Sequence, residues 1–193
     1  MKVMIGVSNR HIHLTKEHLE ILFGKDYQLQ VLKEIHQPGQ FASVETVILR
    51  TEKSEISKVR ILGPLREYSQ VEISKTDAYQ LGLNPPVRHS GDIQGSEAIT
   101  VIGPKGTLEL KEGCILANRH IHIHPKQVEL YGLQGRESVD VLVGGEKGCI
   151  LKNVFIRVSD PAFYEMHIDM DDANANLIQN GDIATILEDT YEK

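Results

Sequence analysis

Residues 9–13 read Asn9-Arg10-His11-Ile12-His13, and the same five residues recur in the second half of the chain as Asn118-Arg119-His120-Ile121-His122. The protein contains nine histidines in 193 residues, so a chance repeat of a motif with two histidines is very improbable. The repeat therefore indicates an internal duplication of one structural unit. Two copies of a long unit do not make a solenoid, which stacks many short repeats.

The similarity between the halves continues beyond the two histidine motifs. Each copy is followed by a short amphipathic segment, over residues 15–24 in the first half and 125–132 in the second. Thr15 suits the N-cap of a helix, and Pro125 suits a first helical position. Both segments are therefore predicted to form short helices.

The remaining sequence is dominated by short β-rich runs, with glycine, proline and asparagine between them. Such a pattern is typical of barrels and sandwiches. The sequence therefore predicts a mainly β fold with two β-barrel domains, capped by short α-helices. We expect a first repeat unit over residues 1–90 and a second over residues 91–193, with strands exchanged between the barrels.

Two histidines separated by one residue can bind one metal ion if the segment is an extended strand. Alternate side chains share a face, so the Cα atoms of His11 and His13 would lie roughly 6.5–7 Å apart on the same side. The same holds for His120 and His122. A third ligand from elsewhere would leave an open position on each ion, which is the pattern of catalytic rather than structural zinc.

The duplication nominates the third ligand of each set. Residues 72–78 correspond to residues 167–173, and in this correspondence Glu72 stands where His167 stands. Carboxylate and imidazole both bind zinc. The sequence therefore predicts two zinc ions per chain, with two sets of metal ligands: His11, His13 and Glu72 in the first, and His120, His122 and His167 in the second.

Two further residues beside the motifs have side chains that could bind a metal ion. His124 extends the second motif, but its counterpart is Thr15 and a proline follows it, so we expect it to cap a helix. Glu17 follows the first motif at the spacing that cupins use, which leaves a cupin-like metal-dependent oxygenase or isomerase as an alternative function. The counterpart of Glu17 is Lys126, however, and a glutamate on a helix is poorly placed to complete a strand site.

A non-catalytic zinc-binding module is the other alternative, and it would be expected to have closed four-ligand sites.

Composition excludes several functions. The net charge of -6 and the pI near 5.8 argue against a nucleic-acid-binding protein, which needs clustered basic residues. The longest apolar stretches have the length of strands, so neither a membrane-spanning helix nor a signal peptide is expected, and the protein is predicted to be cytoplasmic. Cys114 and Cys149 have no neighbouring histidine and are interpreted as small buried hydrophobic residues rather than as a disulfide or a catalytic thiol.

A basic residue suited to bind an anion lies close to the first ligand set in sequence. Arg66 ends the segment Gly63-Pro64-Leu65-Arg66, six residues before Glu72. A loop could therefore bring its guanidinium beside the first metal ion. The planar guanidinium can bind a phosphate with two parallel hydrogen bonds.

Six segments together carry a specific resemblance over nearly the whole chain: residues 6–13, 37–41, 60–66, 70–74, 118–122 and 165–169. On these segments the chain resembles the phosphate propanoyltransferases, or phosphotransacylases, which exchange a short acyl group, propanoyl or acetyl, between coenzyme A and inorganic phosphate. The resemblance implies two β-barrels with short helical caps, a homodimer, and a two-zinc site made by the same six ligands.

The resemblance also implies roles for further residues. The catalytic, phosphate-binding arginine of the family matches Arg66. Contacts with coenzyme A are expected from Val7, Ser8, Asn9, Lys33, Arg60, Leu62 and Asn174. Acyl-CoA and phosphate are then the substrates, with no nucleic acid or membrane as a partner, and propanediol degradation is the implied pathway. Microcompartment members of the family carry an N-terminal targeting extension, whereas the first predicted strand here begins at Val3, so encapsulation is not expected.

Overall fold

Fourteen strands and four short helices make up residues 1–187, the part of the chain that the computed structural model describes. The strands are β1 (Lys2–Ser8), β2 (His11–His13), β3 (Val31–Glu34), β4 (Phe41–Arg50), β5 (Glu55–Gly63), β6 (Gln70–Glu72), β7 (Val87–Arg88), β8 (Glu97–Ile102), β9 (Thr107–Ala117), β10 (His120–Ile123), β11 (Ser138–Val143), β12 (Cys149–Val158), β13 (Glu165–Asp169) and β14 (Ile183–Ile186). The helices are α1 (Lys16–Phe23), α2 (Lys75–Leu81), α3 (Pro125–Leu130) and α4 (Met170–Asn176).

The chain divides into two compact units, each built on one six-stranded barrel. The first unit is Asn9–Ala117. Its barrel pairs in the order β4-β5-β2-β6-β9-β8, and β8 returns to β4. The second unit combines Met1–Ser8 with the described residues from Asn118 onward, and its barrel pairs in the order β1-β13-β10-β12-β11-β14. The predicted mainly β fold, with two barrels and few short helices, is confirmed.

The pairing order is the same in the two barrels when corresponding strands are matched. In each, the histidine motif pairs in parallel with one strand and antiparallel with the strand that carries the third ligand. β1 precedes the first motif but belongs to the second barrel, whereas β9 precedes the second motif but belongs to the first. The chain therefore changes unit at the start of each motif. The units do not follow the predicted boundary at residue 90, because β8 and β9 complete the hydrogen bonding of β4 and β6.

Branched aliphatic side chains fill the interior of each barrel. Ile12, Ile61 and Val71 lie side by side on adjacent strands of the first barrel and are fully buried. In the second barrel Ile121 lies opposite Met166, and both are fully buried. Burial of each such side chain contributes about 1.5–3 kcal/mol to folding. Because the central residue of each motif points into the barrel, its two histidines project from the outer face.

Polar caps set the ends of the helices that follow the motifs. Thr15 accepts a hydrogen bond from the backbone N–H of His18 at the start of α1, and Gly24 ends the helix with a φ of 104°. His124 is the N-cap of α3, where its Nδ1 accepts from the backbone N–H of Lys126. Both predicted helices and the capping role of His124 are therefore confirmed. Within the described residues, none of the helices is long and apolar enough to cross a membrane.

Candidate metal sites

The three side chains of the first ligand set meet on the outer face of the first barrel. His11 lies directly opposite Glu72 in the antiparallel pair of β2 and β6. Its Nε2 is 3.4 Å from Oε2 of Glu72, and the ligand atoms of His11, His13 and Glu72 all lie within 4.8 Å of one another. Two ligands of a tetrahedral zinc ion are about 3.3 Å apart, given metal–ligand bonds of about 2.0–2.1 Å. The three donor atoms are therefore close enough to share one ion.

Backbone carbonyl groups orient both imidazole rings of this set. Nδ1 of His11 lies 2.8 Å from the carbonyl oxygen of Asn9, and Nδ1 of His13 lies 3.3 Å from that of Leu62. Because a carbonyl oxygen can only accept a hydrogen bond, Nδ1 of each ring carries the proton. The lone pair on Nε2 is thus left for a metal ion, an arrangement typical of histidine ligands.

Burial and nearby charges act differently on the two histidines. Burial acts to lower the pKa of His11, but the carboxylate of Glu72 outweighs this effect and leaves the pKa above its ordinary value. For His13, burial has the largest effect and, with contributions from His11 and Arg66, lowers the pKa well below its ordinary value. His13 is therefore neutral at neutral pH, as a zinc ligand must be.

The second ligand set has the same arrangement on the outer face of the second barrel. His120 lies opposite His167, and the Nε2 atoms of His120 and His122 are 3.1 Å apart. The ligand atoms of the three histidines lie within 4.8 Å of one another. Nδ1 of His120 is 2.8 Å from the carbonyl oxygen of Asn118, which repeats the contact of His11 with Asn9. The structure thus brings together each of the two triads proposed as ligands.

Two buried side chains beside the ligands are absent from the sequence prediction. Gln70 and Glu165 occupy the same position in the two barrels, each opposite the second histidine of the motif. Gln70 donates from Nε2 to Oε1 of Glu72 at 2.6 Å, and Oε2 of Glu165 lies 2.9 Å from Nε2 of His167. Each site therefore contains one carboxylate. In the first site it is Glu72, at the position of the third ligand, and in the second it is Glu165, two residues before the third ligand. Strand alternation is the signal that could have revealed both residues, since a residue two positions before a ligand shares its face.

The arginine of each motif is held by an aspartate on a helix. Arg10 pairs with Asp77 on α2 at 2.8 Å, and Arg119 pairs with Asp172 on α4 at 2.6 Å. Each helix begins shortly after the third ligand of its site. The duplicated ion pairs therefore fasten each histidine motif to the segment that supplies its third ligand.

Arg66 is linked to the first ligand set through Ser90 and Gln70. Its backbone N–H donates to the carbonyl oxygen of Leu14 at 2.9 Å, and its Nη1 donates to Oγ of Ser90 at 3.3 Å. Its guanidinium carbon is 6.0 Å from the centre of the Tyr68 ring. The side chain is only half-buried, so a solute can reach it.

The residues predicted to contact coenzyme A fall in both units. Arg60 lies opposite His11, and its Nη1 donates to the carbonyl oxygens of Ser43 and Val44. Leu62 follows on the same face of β5, and its carbonyl oxygen orients His13. The first unit also contains Asn9 and Lys33, and the second unit contains Val7, Ser8 and Asn174. The structure thus brings Arg60 and Leu62 to the first ligand set, and the contacts with coenzyme A stay a prediction.

The cupin-like ligand set does not form. Glu17 is exposed in the first turn of α1, outside both groups of ligands found among residues 1–187. The third donor beside His11 and His13 is Glu72. The helix therefore removes Glu17 from the strand face that the two histidines share.

Known proteins are similar to this chain over nearly its full length. The family model described as phosphate propanoyltransferase matches residues 4–179. A phosphate propanoyltransferase of Thermotoga maritima is 49% identical over 96% of this chain and 89% of its own length. Proteins with the same name from Lachnoclostridium phytofermentans and Priestia megaterium are 50% and 51% identical, over 96% and 93% of this chain and 87% and 83% of their own lengths. The matched region includes both ligand sets.

Proposed function

The chain belongs to the phosphate propanoyltransferase family, and on this basis we propose that it exchanges a propanoyl or acetyl group between coenzyme A and inorganic phosphate with two bound zinc ions. The family membership makes it an acyltransferase enzyme. The single observation that carries the proposal is the family match over residues 4–179, which includes both groups of metal-binding side chains.

The chemistry of the donor atoms supports zinc as the metal. The first set combines two imidazoles with a carboxylate, the second combines three imidazoles, and each offers three ligands, which leaves a position for a substrate oxygen. We propose that His11, His13 and Glu72 hold one ion and that His120, His122 and His167 hold the other. When bound, the ions would supply Lewis acidity, which polarises a carbonyl group and offsets negative charge.

Arg66 is proposed to bind and orient the phosphate. Its guanidinium is linked to the Glu72 carboxylate through Ser90 and Gln70 but is only half-buried, and its planar fork matches two phosphate oxygens. Arg10 and Arg119 are less suited to this role, because each is paired with an aspartate. Coenzyme A is proposed to contact the seven residues named from the resemblance, of which Arg60 and Leu62 lie beside the first ligand set.

The proposed reaction is a direct attack of phosphate on the thioester. A phosphate oxygen forms a bond to the carbonyl carbon, the carbon–sulfur bond breaks, and coenzyme A leaves with the electron pair of that bond. No acyl-enzyme is required. Burial raises the pKa of Cys114 to about 12, and burial also raises the pKa of Cys149. Both thiols are therefore un-ionised at neutral pH and are poor nucleophiles.

The proposal is tested by mixing the purified protein with propanoyl-CoA or acetyl-CoA and phosphate. We expect acyl phosphate and free coenzyme A in equal amounts, sequential steady-state kinetics, and about two zinc ions per chain by elemental analysis. Zinc without acyl phosphate formation would indicate a non-catalytic zinc module. Bound iron with oxygen-dependent turnover would indicate a cupin-like enzyme, and ping-pong kinetics with a trapped acyl-cysteine would exclude direct attack.

The resemblance further supports a cytoplasmic homodimer that takes part in propanediol degradation. These remain proposals. Light scattering of the purified protein measures its mass in solution and so decides whether it is a dimer.

A further inference from the structure

Gln70 is a fully buried side chain that bonds to three neighbours in the first barrel. Its Nε2 donates to Oε1 of Glu72 at 2.6 Å and to Oγ of Ser90 at 2.9 Å, while its Oε1 accepts from the backbone N–H of Gly91 at 2.7 Å. A carboxamide has two N–H donors, and both are used here. Only this orientation of the amide satisfies all three contacts, because a carboxylate can only accept and a backbone N–H can only donate.

Ser90 joins Gln70 to Arg66. The hydroxyl oxygen that accepts from Gln70 also accepts from Nη1 of Arg66 at 3.3 Å, and its two lone pairs permit both contacts. The next residue, Gly91, has a φ of 105°, and a Cβ added there would lie 3.1 Å from the hydroxyl oxygen of Tyr68. The loop therefore passes closely over the tyrosine that the Arg66 guanidinium approaches. The hydrogen bonds of Ser90 and Gln70 thus form one continuous network from the Arg66 guanidinium to the Glu72 carboxylate.

We propose that Gln70 is a positioning residue that fixes both the metal-binding oxygen of Glu72 and the location of the Arg66 guanidinium. This proposal rests on the proposed function, in which Glu72 binds zinc and Arg66 binds phosphate. By donating to Oε1, Gln70 leaves Oε2 of Glu72 facing His11 at 3.4 Å. Through Ser90 it holds Arg66 at a set distance from that oxygen, so that one phosphate can reach both the guanidinium and the open position of the first metal site.

The chemistry at this position argues against a role in packing alone. In the second barrel the corresponding residue is Glu165, and it lies against the imidazole of His167. An amide thus lies against a carboxylate in one site, and a carboxylate lies against an imidazole in the other. Packing alone would be satisfied by methionine, which has nearly the same shape as glutamine but cannot make the three hydrogen bonds.

Gln70→Met and Ser90→Ala test the two arms of the network. For Ser90→Ala we expect the KM for phosphate to rise about 10-fold, as for the loss of one hydrogen bond to a charged group, with the KM for propanoyl-CoA and the zinc content unchanged. Gln70→Met should show the same rise, and it should also weaken zinc binding at the first site about 10- to 100-fold, the usual effect of removing a partner of a metal ligand. Zinc affinity is measured by competition with a chromophoric chelator.

Gln80→Met is the matched control. Gln80 is an exposed glutamine on α2 of the same unit, and its Nε2 donates to the carbonyl oxygen of Glu55. We expect no change in zinc affinity or in either KM. The positioning role is overturned if Gln70→Met folds and keeps both the wild-type zinc affinity and the wild-type KM for phosphate.

Two results keep this test separate from the test of the proposed function. If Gln70→Met does not fold, an unchanged KM for phosphate in Ser90→Ala overturns the proposal. If the wild-type protein makes no acyl phosphate, the proposed function fails, but zinc affinity and calorimetric phosphate binding can still be measured. Unchanged phosphate binding in both variants, together with an unchanged zinc affinity in Gln70→Met, would then overturn the role of Gln70. Weaker phosphate binding in both variants, with weaker zinc binding in Gln70→Met alone, would support it.

Discussion

The two barrels hold their ligand sets on the same framework but place the carboxylate differently. In the first, the third proposed ligand is Glu72 and its neighbour on the same strand face is Gln70. In the second, the third proposed ligand is His167 and the neighbour is Glu165. Both pairs are in hydrogen-bond contact, at 2.6 Å and 2.9 Å. A change in the third ligand is thus accompanied by a change in its neighbour that keeps the hydrogen bond and one negative charge at each site.

This difference shows which parts of a duplicated site can vary. The histidine pairs, the carbonyl groups that orient His11 and His120, and the arginine–aspartate pairs are the same in both barrels. They fix where the ligand atoms lie. The residues that vary are those that decide the charge and the polarity of the third ligand, so the two ions would have different environments on one scaffold.

The largest expected effect comes from removing the third ligand of either site. Glu72→Ala and His167→Ala should each leave about one zinc ion per chain, because the other barrel keeps its complete set. The proposed function assigns both ions to one reaction, so we expect activity to fall about 100-fold or more in both variants. Elemental analysis and the acyl phosphate assay measure the two outcomes. Full activity in either folded variant would show that its metal is structural or that the ligand assignment is wrong. The two barrels would then differ in function, with only one of them needed for the reaction.

Exchanging the chemistry of the first site for that of the second should have a smaller effect. Gln70→Glu alone places two carboxylates against each other, so zinc affinity at the first site should change and the free energy of unfolding should fall by about 1–3 kcal/mol. The double variant Gln70→Glu with Glu72→His recreates the Glu165–His167 pair. We expect it to be more stable than the sum of the two single effects predicts, which a double-mutant cycle of urea unfolding would detect. Strict additivity would show that the two positions vary independently.

The sequence predicts most of the ligand framework because the two halves can be compared with each other. The duplication predicts that Glu72 and His167 lie beside the histidine pairs although their chemistry differs, and it identifies His124 as a cap through its counterpart Thr15. Gln70 and Glu165 occupy the same repeat position, two residues before Glu72 and His167, and strand alternation places them on the same face. The sequence does not show that they contact those residues, which depends on the pairing of β6 and β13 with the histidine motifs.

Long-range connections account for what the sequence does not predict. The sequence predicts that the barrels exchange strands, but it does not specify which strands. β1 and β9 each complete the barrel of the other half, so the units change at Asn9 and Asn118 rather than at residue 90. Ser90 lies in a loop between β7 and β8, and its role depends on meeting Gln70 and Arg66 in space. A pattern based on spacing along the chain contains no signal for such a contact.

Arg66 is proposed to bind phosphate beside the first of the two sites. Arg66→Lys keeps the charge but removes the planar fork, so we expect the KM for phosphate to rise about 10- to 100-fold, with the KM for acyl-CoA within about twofold of wild type. Arg50→Lys is the control, since Arg50 is exposed and pairs with Glu55 at the surface. Initial rates at varied phosphate measure the effect. An unchanged KM for phosphate would remove Arg66 from the site.

Gly6 tests the second site alone. It lies opposite His167 on β1, and a Cβ there would lie 2.8 Å from Cδ2 of His167 and 3.0 Å from the carboxyl carbon of Glu165. The corresponding residue of the first barrel, opposite Glu72, is Ile115. Gly6→Ala should therefore displace the His167–Glu165 pair and weaken zinc binding at the second site about 10-fold, with the first site unchanged. A chelator titration that resolves the two ions tests this, and equal affinities in Gly6→Ala and wild type would show that the pair can move without loss.

The smallest expected effect is at Cys114, which lies beside Val71 in the first barrel. The corresponding pair in the second barrel is Ile5 and Met166. Burial raises the pKa of this thiol from 9.0 to about 12. A pKa raised by folding means that its contribution to stability is complete below about pH 9 and is lost as the pH rises toward 12. The stability advantage of wild type over Cys114→Ala should therefore shrink between pH 8 and pH 11, as measured by urea unfolding.

Catalytic rates of the variant at pH 7 should stay within about twofold of wild type, because an un-ionised thiol buried behind the ligand face takes no part in direct attack. A variant that folds but loses activity would instead identify Cys114 as an acyl carrier and replace direct attack by a covalent route.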